Sequence, residues 1–121
     1  SRGNDRGGSL LFLGLGTGLG SALVVEGRVQ PLELAHLPYR KHRSYEQYLG
    51  EAGLERMGKK KWRRHVWKVV ALFREALQPG EVVIGGGNAA LLEEPPEGVR
   101  LGTNASAFEG GFRLWRGEGE R

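Results

Sequence analysis

Glycine alternates with other residues from position 14 to position 20, as Gly14-Leu15-Gly16-Thr17-Gly18-Leu19-Gly20, directly after the apolar run Leu10-Leu11-Phe12-Leu13. No stable helix carries glycine at that density. The segment therefore reads as a buried strand, a tight turn and a second strand. A second cluster, Gly85-Gly86-Gly87, follows the apolar run Val82-Val83-Ile84. Glycine makes up 21 of the 121 residues, well over twice the usual share of about 7%. There is no G-X-Y period, so the chain is not collagen-like. The clusters predict two strand ends at which backbone approaches something closely.

The length fits one domain with a sizeable core, and it is short for a two-lobed enzyme. With no cysteine, disulfides, zinc–thiolate sites, iron–sulfur clusters and thiol nucleophiles are excluded. No apolar run approaches the ~18–20 residues of a membrane span. The polar start Ser1-Arg2-Gly3-Asn4-Asp5-Arg6 has no signal-peptide core. A cytoplasmic protein with no membrane partner is expected. The missing initiator methionine suggests a processed end or a fragment. Charge is unevenly placed. Residues 40–68 hold ten Lys or Arg against three Glu, a net +7, so the rest carries −3 of the overall +4. Such a block argues for a polyanion or an acidic partner.

Along the chain, residues 1–9 read as a flexible lead. Leu10–Leu15 and Ser21–Val25 read as strands, with Glu26-Gly27 as a hairpin turn and Arg28–Leu32 returning antiparallel. Ser44-Tyr45-Glu46-Gln47 matches a capping box. It opens a helix whose apolar stripe is Tyr45, Tyr48, Leu49 and Ala52. A longer helix follows, with Trp62, Val66, Val69, Val70, Phe73 and Leu77 on one face and Pro79-Gly80 as its stop. Glu81–Ile84 is a short buried strand, Ala89–Glu93 starts a short helix, and Val99–Leu101 is a further buried strand. Asn104–Trp115 reads as a last helix through Phe108, Phe112 and Trp115, and 117–121 as a frayed tail. A meander followed by α/β units predicts an α/β layer, with helices on the faces of a mixed sheet.

Three patterns carry candidate chemistry. Backbone amides of Gly16-Thr17-Gly18 can converge on phosphate oxygens, with the Thr17 hydroxyl as a further donor; the alternative is an ordinary glycine hairpin. No Gly-Lys-Ser/Thr follows, so this is not a Walker A loop. Gly85-Gly86-Gly87-Asn88-Ala89-Ala90 fits G-x-G-x-x-A between strand and helix, but no acid closes the next strand. A glycine turn beneath a base or ribose is the preferred reading. Glu33 and His36 are three apart, so one helical turn sets both on one side, where they can bind sugar hydroxyls; the alternative is a surface Glu and a half-buried His. His42 and His65 lack metal-ligand spacing, and no zinc or other metal site is expected. Asp5 is the only aspartate. It lies in the glycine-arginine lead without a scaffold, so no catalytic residue is assigned.

These blocks together resemble the ROK family of sugar kinases, in the actin-like ATPase superfamily. Leu13–Leu23, around Gly16-Thr17-Gly18, resembles the family's second phosphate motif. Glu33-Leu34-Ala35-His36 resembles its E-[IL]-G-H sugar motif, with Ala35 in place of Gly. Tyr48–Glu51 and Gly58–Arg64 resemble the polyphosphate-glucokinase-like branch, and Ile84–Ala89 its adenosine motif. Asn104-Ala105, Gly110-Gly111 and Leu114-Trp115 resemble its C-terminal end. The fold implied is an actin-like (ribonuclease H-like) half-domain over residues 10–116.

The resemblance implies a glucokinase-like phosphotransferase using ATP or polyphosphate with Mg²⁺. Gly16, Thr17 and Gly18 would contact phosphates. Glu33 and His36 would bind glucose or a similar hexose. Gly85, Gly86, Gly87 and Asn88 would line the nucleotide pocket. Lys59, Lys60, Lys61, Arg63 and Arg64 would attract polyphosphate, unless they are simply a solvated helix face. The family's N-terminal lobe supplies a D-x-G loop and an N-D-A segment with the general base. Asn4-Asp5 is too close to Gly16 to be that segment, and Arg6 stands in place of Ala. Ser106, Phe108 and Glu109 replace the small residues usual before the closing Gly-Gly. The expectation is a C-terminal lobe that is catalytically incomplete alone and has no zinc cluster. Two alternatives remain: a non-catalytic binding or homodimerisation module whose partner face would meet the missing lobe, and a polyanion binder through residues 40–68. Without a helix-turn-helix, nucleic acid ranks last.

Overall fold

The computed structural model describes residues 8–102. The expected helix at 104–115, the tail, Ser106, Phe108, Glu109, Asn4 and Asp5 lie outside the described residues. The first three strands are β1 (Ser9–Leu15), β2 (Leu19–Val25) and β3 (Arg28–Pro31). A small hairpin of β4 (Pro38–Arg40) and β5 (Arg43–Ser44) follows. Three helices come next: α1 (Tyr45–Leu49), α2 (Glu51–Met57) and α3 (Lys59–Leu77). The described part closes with β6 (Glu81–Gly85), a 3₁₀ turn over Gly87–Leu91, and β7 (Val99–Leu101).

The main sheet has five strands in the order β3-β2-β1-β6-β7. The first two pairings are antiparallel and the last two parallel. The meander forms because β2 and β3 are joined by Glu26 and Gly27, both at positive φ (51° and 80°). That is the twist-matched two-residue hairpin. β1 is apolar on nearly every residue, with Leu11, Leu13 and Leu15 buried on one face of the sheet and Phe12 on the other. Leu11, Leu13, Leu15, Val82 and Ile84 face the helices and join one core with Trp62, Val66, Val69, Val70 and Phe73 of α3. Trp62 is fully buried and donates its indole N–H to the Leu49 carbonyl at 3.0 Å. Burying that ring and pairing its one polar atom fixes α3 against α1.

The capping box is present: Gln47 N–H donates to Ser44 Oγ, and Ser44 N–H to Gln47 Oε1. The helix it opens is shorter than the apolar stripe implies. Gly50 is extended (φ −77°, ψ −176°) and divides it into α1 and α2. The break re-phases the second half, so Ala52 is exposed and Gly53 is buried instead. β7 differs too. Among the described residues it lies at the edge of the sheet, with Val99 buried and Arg100 exposed. No helix among the described residues is long and apolar enough to cross a membrane.

Candidate functional site

Gly14 and Gly85 are register partners at the ends of the parallel strands β1 and β6. Both glycine clusters therefore leave the sheet at the same edge, although they are 71 positions apart in the chain. The carboxyl edge of parallel strands is where α/β sheets place ligands. The two turns touch there. A Cβ on Gly86 would lie 2.3 Å from the Leu15 carbonyl oxygen, and Asn88 Nδ2 donates to the Gly16 carbonyl at 3.5 Å.

The first turn is held from behind. Gly16 N–H donates to the Gly18 carbonyl (3.1 Å), and Glu51 N–H to the Thr17 carbonyl (3.0 Å). Leu19 N–H donates to Glu46 Oε2 (3.0 Å). Gly50 is glycine because a Cβ there would lie 2.9 Å from the Thr17 carbonyl oxygen. The turn's carbonyls thus serve α2 and Asn88. Among the described residues, the N–H groups of Thr17 and Gly18 and the exposed Thr17 hydroxyl keep their donors open. That is the donor set an anion needs.

The cleft is about 360 Å³, lined by Gly14, Leu15, Gly16, Gly18, Leu19, Gly20, Glu46 and Gly86. Among the described residues its one charged lining group is the Glu46 carboxylate. A bound phosphate would meet Glu46 as well as the open amides, so its charge needs a cation from outside these residues. Mg²⁺ is commonly held by one or two carboxylates with water and substrate phosphates. Among the described residues no group of three His, Asp or Glu is placed to hold a metal. Glu46 is already engaged with Leu19. These residues do not make a Mg²⁺ site by themselves.

Two glycines around the cleft have no explanation in the packing. A Cβ on Gly16 or Gly87 would meet nothing within 4 Å, whereas Gly18, Gly85 and Gly86 face Glu46, Phe12 and Leu15. Gly16 and Gly87 are therefore the positions at which a molecule outside this chain could come close to backbone. The helix after the second cluster is a single 3₁₀ turn. The α-helix that a dinucleotide fingerprint requires is thus absent from that place.

Glu33 and His36 are both exposed and do not sit on a helical turn. The chain bends here instead, with Leu37 N–H donating to the Leu34 carbonyl. The bend is nonetheless tied to the cleft. Glu46 N–H donates to the Ala35 carbonyl at 2.9 Å while the Glu46 carboxylate holds Leu19. One residue fastens both segments. In the sequence Glu46 stands only as a middle residue of the capping box, with no site role, and its long-range partners give it one.

The basic block does not stay together. Arg63 turns to the flank facing the 3₁₀ turn, donating Nε to the Leu91 carbonyl at 2.7 Å and lying 3.6 Å from Glu93. Lys59 and Lys60 are exposed on the first turn of α3. Lys61 and Arg64 instead join Arg40, His65, Trp67 and Lys68 around a cavity of about 650 Å³. Arg40 arrives from the β4–β5 hairpin, which periodicity along α3 alone does not indicate.

No family model matches the chain, and no curated protein matches it in sequence. Solved structures do match in fold. The polyphosphate/ATP-glucomannokinase of Arthrobacter sp. strain KM superposes with a TM-score of 0.67 at 22% identity, over 83% of this chain and 43% of that one. The ROK hexokinase of Thermus thermophilus gives 0.60 at 22% identity, over 89% and 57%. A putative sugar kinase of Cytophaga hutchinsonii gives 0.56 at 18%, over 93% and 59%. The chain thus spans about half the length of the structures it matches. At this identity the likeness is one of fold: most of this chain has the fold of about half of each of these solved sugar kinases.

Proposed function

We propose that this chain is the sugar- and phosphate-binding part of a glucokinase-like phosphotransferase, one that moves a phosphoryl group from ATP or polyphosphate to a hexose hydroxyl. The observation that carries the reading is Glu46, which fastens the Glu33–His36 bend and the glycine turn to one point. In this reading the open amides of Thr17 and Gly18 receive phosphate oxygens. Glu33 accepts from sugar hydroxyls while His36 accepts or donates. Gly87 and Asn88 border the nucleotide. Transfer also needs a base for the hydroxyl proton and counter-charge for the phosphates. Among the described residues the cleft has no cation, and its one carboxylate, Glu46, already accepts from Leu19; in this reading the chain alone turns over little or no sugar.

A coupled assay with glucose, Mg²⁺ and either ATP or polyphosphate tests the activity, and calorimetric titration with glucose tests the binding. The expected result is negligible turnover with measurable glucose binding. Glu33→Gln and His36→Ala should each weaken that binding about tenfold, the effect of one lost hydrogen bond to a polar or charged group. Strong turnover that vanishes in Asp5→Asn would overturn the reading of an incomplete site. Glucose binding indifferent to Glu33 and His36 would overturn the sugar assignment.

A further inference from the structure

We propose that His65 is a proton-operated latch, which at neutral pH holds the β4–β5 hairpin closed on α1 and α3 and which, on taking up a proton, releases the hairpin and with it the Glu33–His36 bend. The latch stands apart from the sugar-kinase reading. Only its consequence, that acid loosens the hexose contacts of Glu33 and His36, rests on that reading.

The hairpin is poorly held by its own backbone. Its two strands form a sheet of their own, separate from the five-stranded one, and a lone two-stranded hairpin is marginal in water. Lys41 and His42, which connect the strands, both have positive φ (52° and 62°), a conformation unfavourable to residues with side chains. Arg40 and Arg43 are direct cross-strand partners, and like charges in that position repel. The register shifts between Pro38 and Arg40, which makes Tyr39 the bulged residue, and a bulge re-aims a side chain. The Tyr39 ring meets Tyr45, Tyr48 and His65 at 5.0, 4.9 and 5.7 Å between centroids. Its hydroxyl lies 2.9 Å from His65 Nδ1.

His65 is only 8% exposed. The groups around it come from every element packed there. The hairpin brings Tyr39 and Arg40, and α3 brings Lys61, Arg64 and Lys68. From α1, Tyr48 meets the imidazole at 4.8 Å, and Arg56 of α2 lies over Tyr48 at 5.3 Å. The cavity lined by Arg40, Lys61, Arg64 and Lys68 contains no carboxylate among its described lining residues. Burial holds the imidazole below its ordinary value, and the four cations push the same way. Tyr39, pushed up by its burial, stays neutral beside it. An imidazolium here would be a further positive charge among four, shielded from water. The Tyr39 hydroxyl can accept from it but brings no charge to balance it. Releasing the hairpin removes the cover of Tyr39, admits water and carries the Arg40 charge away. Protonation and release are therefore one coupled equilibrium.

The bend follows the hairpin because β4 begins at Pro38, directly after Leu37. Tyr45 N–H donates to the Leu37 carbonyl at 3.0 Å, and Glu46 N–H to the Ala35 carbonyl at 2.9 Å. These two amides report whether the latch is closed.

The test is amide hydrogen exchange of the full chain without sugar, expressed as protection factors, while NMR follows the His65 ring. Tyr45 and Glu46 should be at least about tenfold less protected than Leu11 and Leu13 of β1, the mark of a local opening. Their protection should fall at least about threefold from about pH 7.5 to about pH 5.5. His65→Gln, which cannot titrate, should abolish that fall. His42→Gln, at the exposed turn of the same hairpin, should keep it. Protection equal to that of β1 would overturn the latch, since the hairpin would then open only with the whole fold. A fall that persists in His65→Gln, or disappears in His42→Gln, would overturn it too. The parent chain supplies a check that needs no variant: a His65 ring titrating at or above the ordinary 6.5 is uncoupled from the hairpin and refutes the proposal. Glucose that binds at neither pH overturns the sugar reading alone, because the two amides report the latch without it.

Discussion

The Glu46 carboxylate accepts the Leu19 backbone N–H at 3.0 Å, across 27 positions of chain. It thereby fixes the exit of the glycine turn to the first turn of α1. The acceptor is charged and half-buried, so the bond belongs to the stronger class. Glu46→Ala is expected to destabilise the fold by about 1–2 kcal/mol, with Glu46→Gln costing less because the amide oxygen can still accept. Urea unfolding of the two variants measures the difference. Equal stability of Glu46→Ala and the parent chain would remove Glu46 from its fastening role.

The glycines of the cleft separate into two classes. Gly86→Ala should cost at least about 2 kcal/mol, since it combines a left-handed φ with a clash. The clash is with Leu15 backbone, which cannot move aside as a side chain can. Gly16→Ala and Gly87→Ala should change stability by no more than about 1 kcal/mol, and their effect should fall on phosphate or nucleotide binding. Denaturation midpoints and ligand titrations of the three variants, compared side by side, check the separation.

Among the described residues Trp62 is the largest fully buried side chain. Trp62→Ala should cost about 3–5 kcal/mol, the range for deleting a buried aromatic. The variant also leaves the Leu49 carbonyl without its indole donor. Trp62→Phe should recover much of the packing while still lacking that bond. A smaller loss in Trp62→Ala than in Leu72→Ala, on the exposed face of α3, would contradict this account of the core.

His65 predicts an acid-sensitive fold. Its folded value lies below the ordinary 6.5 because of burial and the surrounding cations. The unfolded chain thus takes up a proton at a pH where the folded chain does not. As pH falls below about 6.5, the unfolded state binds more protons and stability drops. Thermal unfolding from pH 8 to 5 should show this decline, flattened in His65→Gln, which cannot titrate. Tyr39 works at the other end. Its raised value means the unfolded chain loses its proton first, so stability falls as pH rises past 10.

Several elements were legible because they depend on neighbours in sequence. The glycine run after Leu13 ended β1, Ser44 and Gln47 capped α1, and the period from Trp62 to Phe73 placed the buried face of α3. These are signals of backbone freedom, of one local hydrogen-bond pair and of one helical face, each contained within about a dozen residues. Other features were decided by contacts across tens of residues. Gly50 breaks a helix that its apolar stripe would continue, because the Thr17 carbonyl lies where a side chain would be and takes the Glu51 N–H. Glu33 and His36 have helical spacing but lie on a bend anchored by Glu46. Arg63 and Arg64 are adjacent in a single basic run, yet one turns to Leu91 and the other to Arg40. The sequence by itself determined where strands could end and which helix face was apolar, since glycine and side-chain period act locally. Which turns meet at one edge of the sheet, and which charges share one cavity, was decided by the tertiary structure, because β1 and β6 are far apart in the chain and adjacent only in the folded sheet.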